Sequence, residues 1–382
     1  MNEKKSDKYY FSNALLHWYK KNKRDLPWRN TENPYFIWLS EIILQQTRVA
    51  QGLPYYLNFV SKYPDIQSFA SAPSDDIMRM WQGLGYYSRA RNMQETAKII
   101  VEKLNSKFPT NFTELIELKG IGPYTAAAIA SFSANEAVAV VDGNVFRVLS
   151  RIFGIETDIA SHSGKKQFQE LATSLLPPDK SSDYNQAIMQ LGALVCLPKK
   201  PHCLECPVAS SCVAYFEGKP DKYPVKSKKL IIKTRFLYYL IPETTTTTTP
   251  VFYLKKRAEG DVWQGLYDFP LIESKVALTT SELIASILNL LLPNDLATNT
   301  LTYQSAINGI SSQIKHQLTH QRLNVSFIKL NKIILPDFEI WCSKNGYLAY
   351  EMEATEALPK PILIANFLSK KSEINNLTIL FN

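Results

Sequence analysis

The chain has 382 residues, of which 45% are hydrophobic and 20% charged, and a net charge of +8. That length supports a sizeable core and an expectation of two domains. No stretch approaches the ~18 apolar residues of a membrane span, and the charged start MNEKKSDKYY has no apolar segment behind it, which argues against secretion and leaves a cytoplasmic location as the expectation.

The charge is uneven. Residues 1–229 hold 29 Lys and Arg against 22 Asp and Glu, whereas the rest of the chain is nearly balanced. A basic N-terminal part suits a polyanion partner. In chain order, residues 9–29 predict a helix with Leu15, Leu16, Trp18 and Tyr19, followed by KKNKRDLPWR. Arg24, Trp28 and Arg29 set cations beside an aromatic ring, as a nucleobase pocket or phosphate contact needs; the same residues also suit the basic end of an amphipathic helix. Pro34 to Val49, PYFIWLSEIILQQTRV, reads as a largely buried helix with Phe36, Leu39, Ile43 and Leu44 in the core. Glu41 stands among these apolar neighbours. If buried, its carboxyl would hold a proton near neutral pH and could act as a general acid; if exposed, it would only share a polar face with Gln45 and Arg48.

Residues 74–103 predict two short helices around GLGYYSRARN. Leu84 and Tyr86 fall on the turn, where apolar and aromatic side chains can fill the gap left by an extruded base, or pack inward as a helix–helix turn. Next comes LKGIGPYTAAAIASFSANEAVAVVDGNVFRVLSR, residues 118–151. Gly120 and Gly122 break one helix and Pro123 suits the first position of another. The hairpin exposes backbone N–H groups at a helix N-terminus, an anion site without base preference. Asp142-Gly143-Asn144 opens a further helix that Gly154 stops. Asp142 is therefore an N-cap, a position that also favours its ionised form.

Residues 165–195 predict helix and run into Cys196-x6-Cys203-x2-Cys206-x5-Cys212. Four thiols at this spacing suit zinc or a [4Fe–4S] cluster rather than disulfides. The polar, cationic stretch EGKPDKYPVKSKK, residues 217–229, predicts a linker. Strands follow at 230–240, 251–256, 321–334 and 346–351, with helices near 280–292 and 361–369. The threonine run Thr244–Thr249 predicts a low-complexity hairpin insertion without chemistry.

LKGIGPYTAAAI followed by VVDGNVFRVLSR, together with LSEIILQQT, PWR, GLGYYSRARN and the 6-2-5 cysteine spacing, resembles the helix-hairpin-helix DNA glycosylases, and within them the adenine DNA glycosylases of the MutY type. The resemblance implies a mainly α helix-hairpin-helix domain over residues 1–216 with an iron–sulfur loop, then a linker and an α+β Nudix-like domain over 230–382. It implies a [4Fe–4S] cluster on Cys196, Cys203, Cys206 and Cys212, holding a basic loop (Lys199, Lys200, His202) against DNA. The expected partner is double-stranded DNA with adenine opposite 8-oxoguanine or guanine, bound by a monomer.

By the same resemblance Glu41 protonates the adenine and Asp142 stabilises the sugar cation, with Tyr124 and Asn144 orienting Asp142. Gln46 is a wedge into the duplex and Thr47 adjoins it. Trp28 and its neighbours wall the base pocket, Leu84 and Tyr86 act at the lesion, and Gln186 lies near the target base. The C-terminal part has DVWQGLYDFP but no glutamate-rich Nudix box, which implies recognition rather than hydrolysis. Leu318, Thr319 and His320 match a Phe-Ser-His motif that reads 8-oxoguanine, with Leu replacing the ring and Thr keeping the hydroxyl. Tyr124 stands where strand-cutting relatives carry lysine. A phenol forms no Schiff base, so base removal without strand cleavage is expected. The competing readings are an endonuclease III-like or thymine-mismatch glycosylase and a non-catalytic binder of damaged DNA.

Overall fold

The computed structural model describes residues 3–227, 232–242, 250–292 and 306–370, with side chains from residue 10 onward. The threonine run lies outside the described residues, as does the end of the predicted linker. The chain forms two compact units, one of residues 1–72 with 91–228 and one of 73–90 with 229–382.

The first unit is helical. Its elements include helices Glu3–Asn22, Pro34–Ile43, Val49–Lys62, Phe112–Leu115, Pro123–Ala134, Gly143–Phe153, His162–Leu175 and Ser181–Leu194. Phe11, Leu15, Val148, Leu149, Phe168, Ile188 and Leu191 share one buried cluster, so the first helix packs against the two that flank the site described below. Around Pro34–Ile43, rings of Tyr35, Trp38, Phe59 and Phe69 meet at centroid distances of 6.0–6.4 Å.

Two predicted helices are shorter than expected. The helix from Pro34 ends at Ile43 rather than Val49, because Gln46 adopts a left-handed backbone (φ 56°) and the next helix restarts at Val49. Phe36 and Leu44 are accordingly only half-buried. The predicted 165–195 helix is interrupted after Leu175, where Pro177 and Pro178 remove two backbone donors.

The second unit is α+β. Its strands are β1 Lys233–Pro242, β2 Val251–Lys256, β3 Tyr267–Asp268, β4 Leu271–Ser274, β5 Ile307–Ile310, β6 Ile314–Gln317, β7 Gln321–Leu330 and β8 Leu348–Glu351. They form a five-stranded sheet in the order β4-β1-β7-β5, with β6 also on β7, and a three-stranded sheet β3-β2-β8. β1 and β7 pair in parallel from Lys233↔Gln321 to Pro242↔Leu330. β7 stops at Leu330, four residues before the predicted end, because the Asn331 side chain caps a short turn that leads into helix Leu335–Lys344. That helix fills the interval between the predicted strands 321–334 and 346–351, where the sequence predicts no element. Helix Ser74–Met80 belongs here too, tied by Asp75 to Lys256 (2.5 Å) and to the Tyr267 hydroxyl (3.3 Å).

Candidate active site

Glu41 sits on the last turn of Pro34–Ile43 and is 7% exposed. Neighbouring Ile37, Trp38, Ile42 and Ile43 are all buried, which is why this carboxyl is drawn inside with them. Burial pushes it up to about 7; the nearby Asp142 adds to the rise, while a bond from Tyr124 and the charge of Arg29 oppose it. The Tyr124 hydroxyl donates to Glu41 Oε2 at 2.6 Å. Tyr124 is thus bonded to Glu41, and it also interacts electrostatically with Asp142, which it was expected to orient.

Asp142 caps helix Gly143–Phe153, accepting from the Val145 N–H at 2.8 Å and from Asn144 Nδ2 at 2.9 Å. Both carboxylate oxygens thus have donors. Burial nevertheless pushes Asp142 above the ordinary carboxylate range, with the Val145 and Asn144 bonds and Arg147 acting downward. The cap alone predicts a fall, and desolvation outweighs it.

Three residues without an assigned role hold this corner. Buried Asn185 receives the Val140 N–H at 3.0 Å and donates to Ser131 and Val138, which places the chain entering Asp142. Arg147 donates to Asn144 Oδ1 at 2.7 Å, to the Gly192 carbonyl at 2.8 Å and to the Cys196 carbonyl at 2.8 Å. Gly192 lets the helices meet: a Cβ there would lie 2.6 Å from Asn144 Cβ. In sequence Arg147 is only a basic residue inside a helix. Its position one turn after Asn144 is the one signal that could have marked it.

A cleft of about 480 Å³ is lined by Trp28, Arg29, Gln186, Lys23 and Asp183 among others. Trp28 is buried edge-on against Tyr56 (5.1 Å). Arg24 and Arg29 both donate to Gln190, and Arg29 also lies 5.5 Å from the Tyr19 ring. Gln186 accepts from the Tyr19 hydroxyl at 3.0 Å and donates to Ser182 at 3.2 Å, which fixes its amide at the cleft wall. Glu41 and Asp142 are not among the lining residues, although Arg29 links the cleft electrostatically to Glu41.

At the hairpin, Gly120 has φ 77° and its missing Cβ accommodates Asn92, 2.8 Å from where that atom would stand. Gly122 caps Pro123–Ala134 without a side-chain bond, and nothing lies within 4 Å of its absent Cβ. Backbone N–H groups at an open helix start can receive a phosphate closely. Gln46 is exposed in its left-handed turn and Thr47 is half-buried, its hydroxyl directed at the Gln45 carbonyl (3.4 Å).

In the second unit, Leu84 is 7% exposed and Tyr86 41% exposed. Of the two open readings of this turn, each side chain follows one: Leu84 packs inward and Tyr86 projects. Leu318, Thr319 and His320 form the tip of the β6–β7 hairpin, with Thr319 and His320 exposed and Leu318 half-buried. The hydroxyls of Tyr86 and Thr319 are hydrogen-bonded.

Cys196, Cys203, Cys206 and Cys212 are free thiols lining one small cavity of about 30 Å³, walled also by Val148, Ile152, Leu191 and Ala214. Burial pushes the Cys206 thiol up to about 12, and proximity of the other sulfurs adds to it. Among the described residues no three ligating side chains converge on a single-ion site. Sulfurs spread around a cavity fit a polynuclear group better than one zinc at ~2.3 Å from each. Arg151 braces the loop, donating to Cys196 Sγ at 3.4 Å and to the Leu197 and Pro198 carbonyls. No described helix is long and apolar enough to cross a membrane.

A family model described as HhH-GPD superfamily base excision DNA repair protein matches residues 39–178, which hold Glu41, the hairpin and Asp142. An adenine DNA glycosylase of Buchnera aphidicola subsp. Schizaphis graminum is 36% identical over 357 residues, 93% of this chain and 97% of that protein. That of the subspecies from Baizongia pistaciae is 32% identical over 372 residues, 96% and 97% of the two chains. The human adenine DNA glycosylase is 45% identical over 213 residues, 53% of this chain and 39% of its own. Among solved structures, a thermostable thymine-DNA glycosylase superposes with a TM-score of 0.51 at 29% identity, over 56% of this chain and 99% of that one. Full-length relatives, the matched family model and a buried carboxyl pair beside a helical hairpin agree: the chain belongs to the adenine DNA glycosylases of the helix-hairpin-helix superfamily, enzymes of base excision repair.

Proposed function

We propose that this enzyme removes adenine mispaired with 8-oxoguanine or guanine by acid-assisted hydrolysis, with Glu41 as the acid and Asp142 as the anion. The observation that carries the reading is the coupled pair itself. Glu41 is buried, held by Tyr124 and raised to about 7, while Asp142 has N–H donors on both oxygens. Hydrogen bonds from N–H groups favour a charged carboxylate, so of the two Asp142 is the one to ionise first.

The chemistry follows. An adenine taken out of the stack receives a proton from Glu41 at a ring nitrogen and becomes a better leaving group. The C–N bond breaks, its electron pair goes to the base, and the sugar is left cationic. Asp142 stabilises that cation until water adds, the division of labour of two-carboxylate glycosidases. Tyr124, a phenol hydrogen-bonded to Glu41, offers no amine to the sugar, so strand cleavage is not expected.

The four cysteines would hold a [4Fe–4S] cluster, which supplies a rigid cross-link to the loop carrying Lys199, Lys200 and His202. The exposed tip Thr319–His320 with Tyr86 is the part suited to reading the base opposite adenine, and the left-handed Gln46 is suited to entering the duplex.

The test is single-turnover adenine release from duplexes carrying A:8-oxoG, A:G, T:G and an oxidised pyrimidine. Release from the first two is expected, with Glu41→Gln slowed at least ~100-fold, the usual worth of a general acid. Equal release from T:G, or an unimpaired Glu41→Gln, would refute the reading.

A further inference from the structure

The turn that carries Tyr86 is costly to hold. Gly83, Gly85 and Tyr86 all have left-handed backbones, with φ of 100°, 70° and 48°, a conformation disfavoured for a residue with a side chain, here Tyr86. Arg89, at the start of the following helix, is the side chain that grips it. One Nη donates to both the Leu84 and Gly85 carbonyls at 3.3 Å. The guanidinium lies 5.0 Å from the Trp81 ring and 5.7 Å from the Tyr86 ring. Trp81 donates to the same Gly85 carbonyl at 3.0 Å. Both bonds come from one nitrogen, so an ammonium could reach the same carbonyls, but only the planar guanidinium also presents a flat face to the two rings. Burial draws Arg89 down to about 10, which leaves it cationic at neutral pH.

We propose that Arg89 is a positioning residue for opposite-base discrimination: it locks the Gly83–Tyr86 turn so that the Tyr86 hydroxyl meets Thr319 and the pair is presented as one preformed surface. The inference rests on the reading of Tyr86 and Thr319 as the part that senses the base opposite adenine. It differs from a general stabilising role in what it leaves untouched. The acid and anion lie elsewhere in the sequence, so the chemical step on a saturated A:8-oxoG duplex should survive while the preference for 8-oxoguanine over guanine falls.

The experiment measures duplex affinity and the single-turnover rate at saturating enzyme on A:8-oxoG and A:G, for wild type, Arg89→Gln, Arg89→Lys, Tyr86→Phe and the double variant Arg89→Gln/Tyr86→Phe. Arg89→Gln is expected to lower the affinity ratio at least ~10-fold, with the saturated A:8-oxoG rate within about threefold of wild type. Arg89→Lys should recover less than half of that loss on a logarithmic scale, and Arg89→Gln should add little once Tyr86 is Phe. If Tyr86→Phe collapses the ratio while Arg89→Gln keeps it, Arg89 has no such role and the underlying reading stands. If Tyr86→Phe leaves the ratio intact, that reading itself fails and the inference falls with it. Should Arg89→Gln not fold by circular dichroism, Arg89→Lys carries the comparison, and an unchanged ratio there overturns the proposal.

Discussion

At the residue scale the proposed chemistry turns on two carboxyls whose surroundings differ. Glu41 has one hydrogen-bond donor, Tyr124, whereas Asp142 has two. If Glu41 is the acid, as proposed, it acts in its protonated form, and excision should decline as pH rises through about 7. The Tyr124 bond pulls Glu41 down, so Tyr124→Phe should move that decline to higher pH; a pH–rate profile of each protein checks this. The same group sets a stability trend. The folded pKa of about 7 exceeds the ordinary 4.5, so the native state binds this proton more tightly than the unfolded chain. Its contribution is fully present below about 4.5 and is lost as pH rises through about 7. Glu41→Gln lacks the loss, so it should melt above wild type in alkaline buffer and close to it in acid, as thermal denaturation at the two pH values will read.

At the scale of elements, Asp142 is held where three pieces of chain meet. The helix it caps, helix Ser181–Leu194 and the first cysteine are joined through Arg147, and Gly192 allows the close approach. Gly192→Ala introduces a methyl 2.6 Å from Asn144 Cβ, which the two helices can relieve only by separating. A loss of about 1–3 kcal/mol and a slower excision step are expected, measured by denaturant unfolding and single-turnover assay. Arg147→Met leaves the Gly192 and Cys196 carbonyls and the Asn144 amide without their donor. The Gly192 carbonyl bond is buried and the other two are part-buried; an unsatisfied buried group costs about 1–3 kcal/mol, so this variant should lose about that much and slow excision through the misplacement of Asn144 and Asp142.

For the whole molecule, the division into units does not follow the order of the chain. Residues 73–90 interrupt the helical unit in sequence yet fold with the C-terminal one, through Asp75 to Lys256 and Tyr267, Gln82 to the Lys360 N–H, and Tyr86 to Thr319. A fragment ending at residue 228 deprives this segment of all those partners. Limited trypsin digestion should cut it at Arg79 and Arg89 while the full chain is spared there. Equal resistance of the two would show that the segment is held without the C-terminal residues.

Motifs whose function depends on short-range spacing were legible in the sequence. A glycine hairpin before a proline, an Asp before a glycine at a helix start and four cysteines within seventeen positions each define local geometry, because backbone sterics and capping act over a few residues. The helical and α+β halves were legible for the same reason, through the periods of their apolar residues. Tertiary structure decided what depends on distant neighbours. It put the Tyr124 hydroxyl on Glu41, raised Asp142 by burial despite its cap, turned Leu84 inward, engaged Gln186 with Tyr19, and recruited Arg147 and Asn185, which no motif marks. Desolvation and hydrogen-bond partnership are set by whatever else fills the surrounding volume, and a one-dimensional spacing does not encode that.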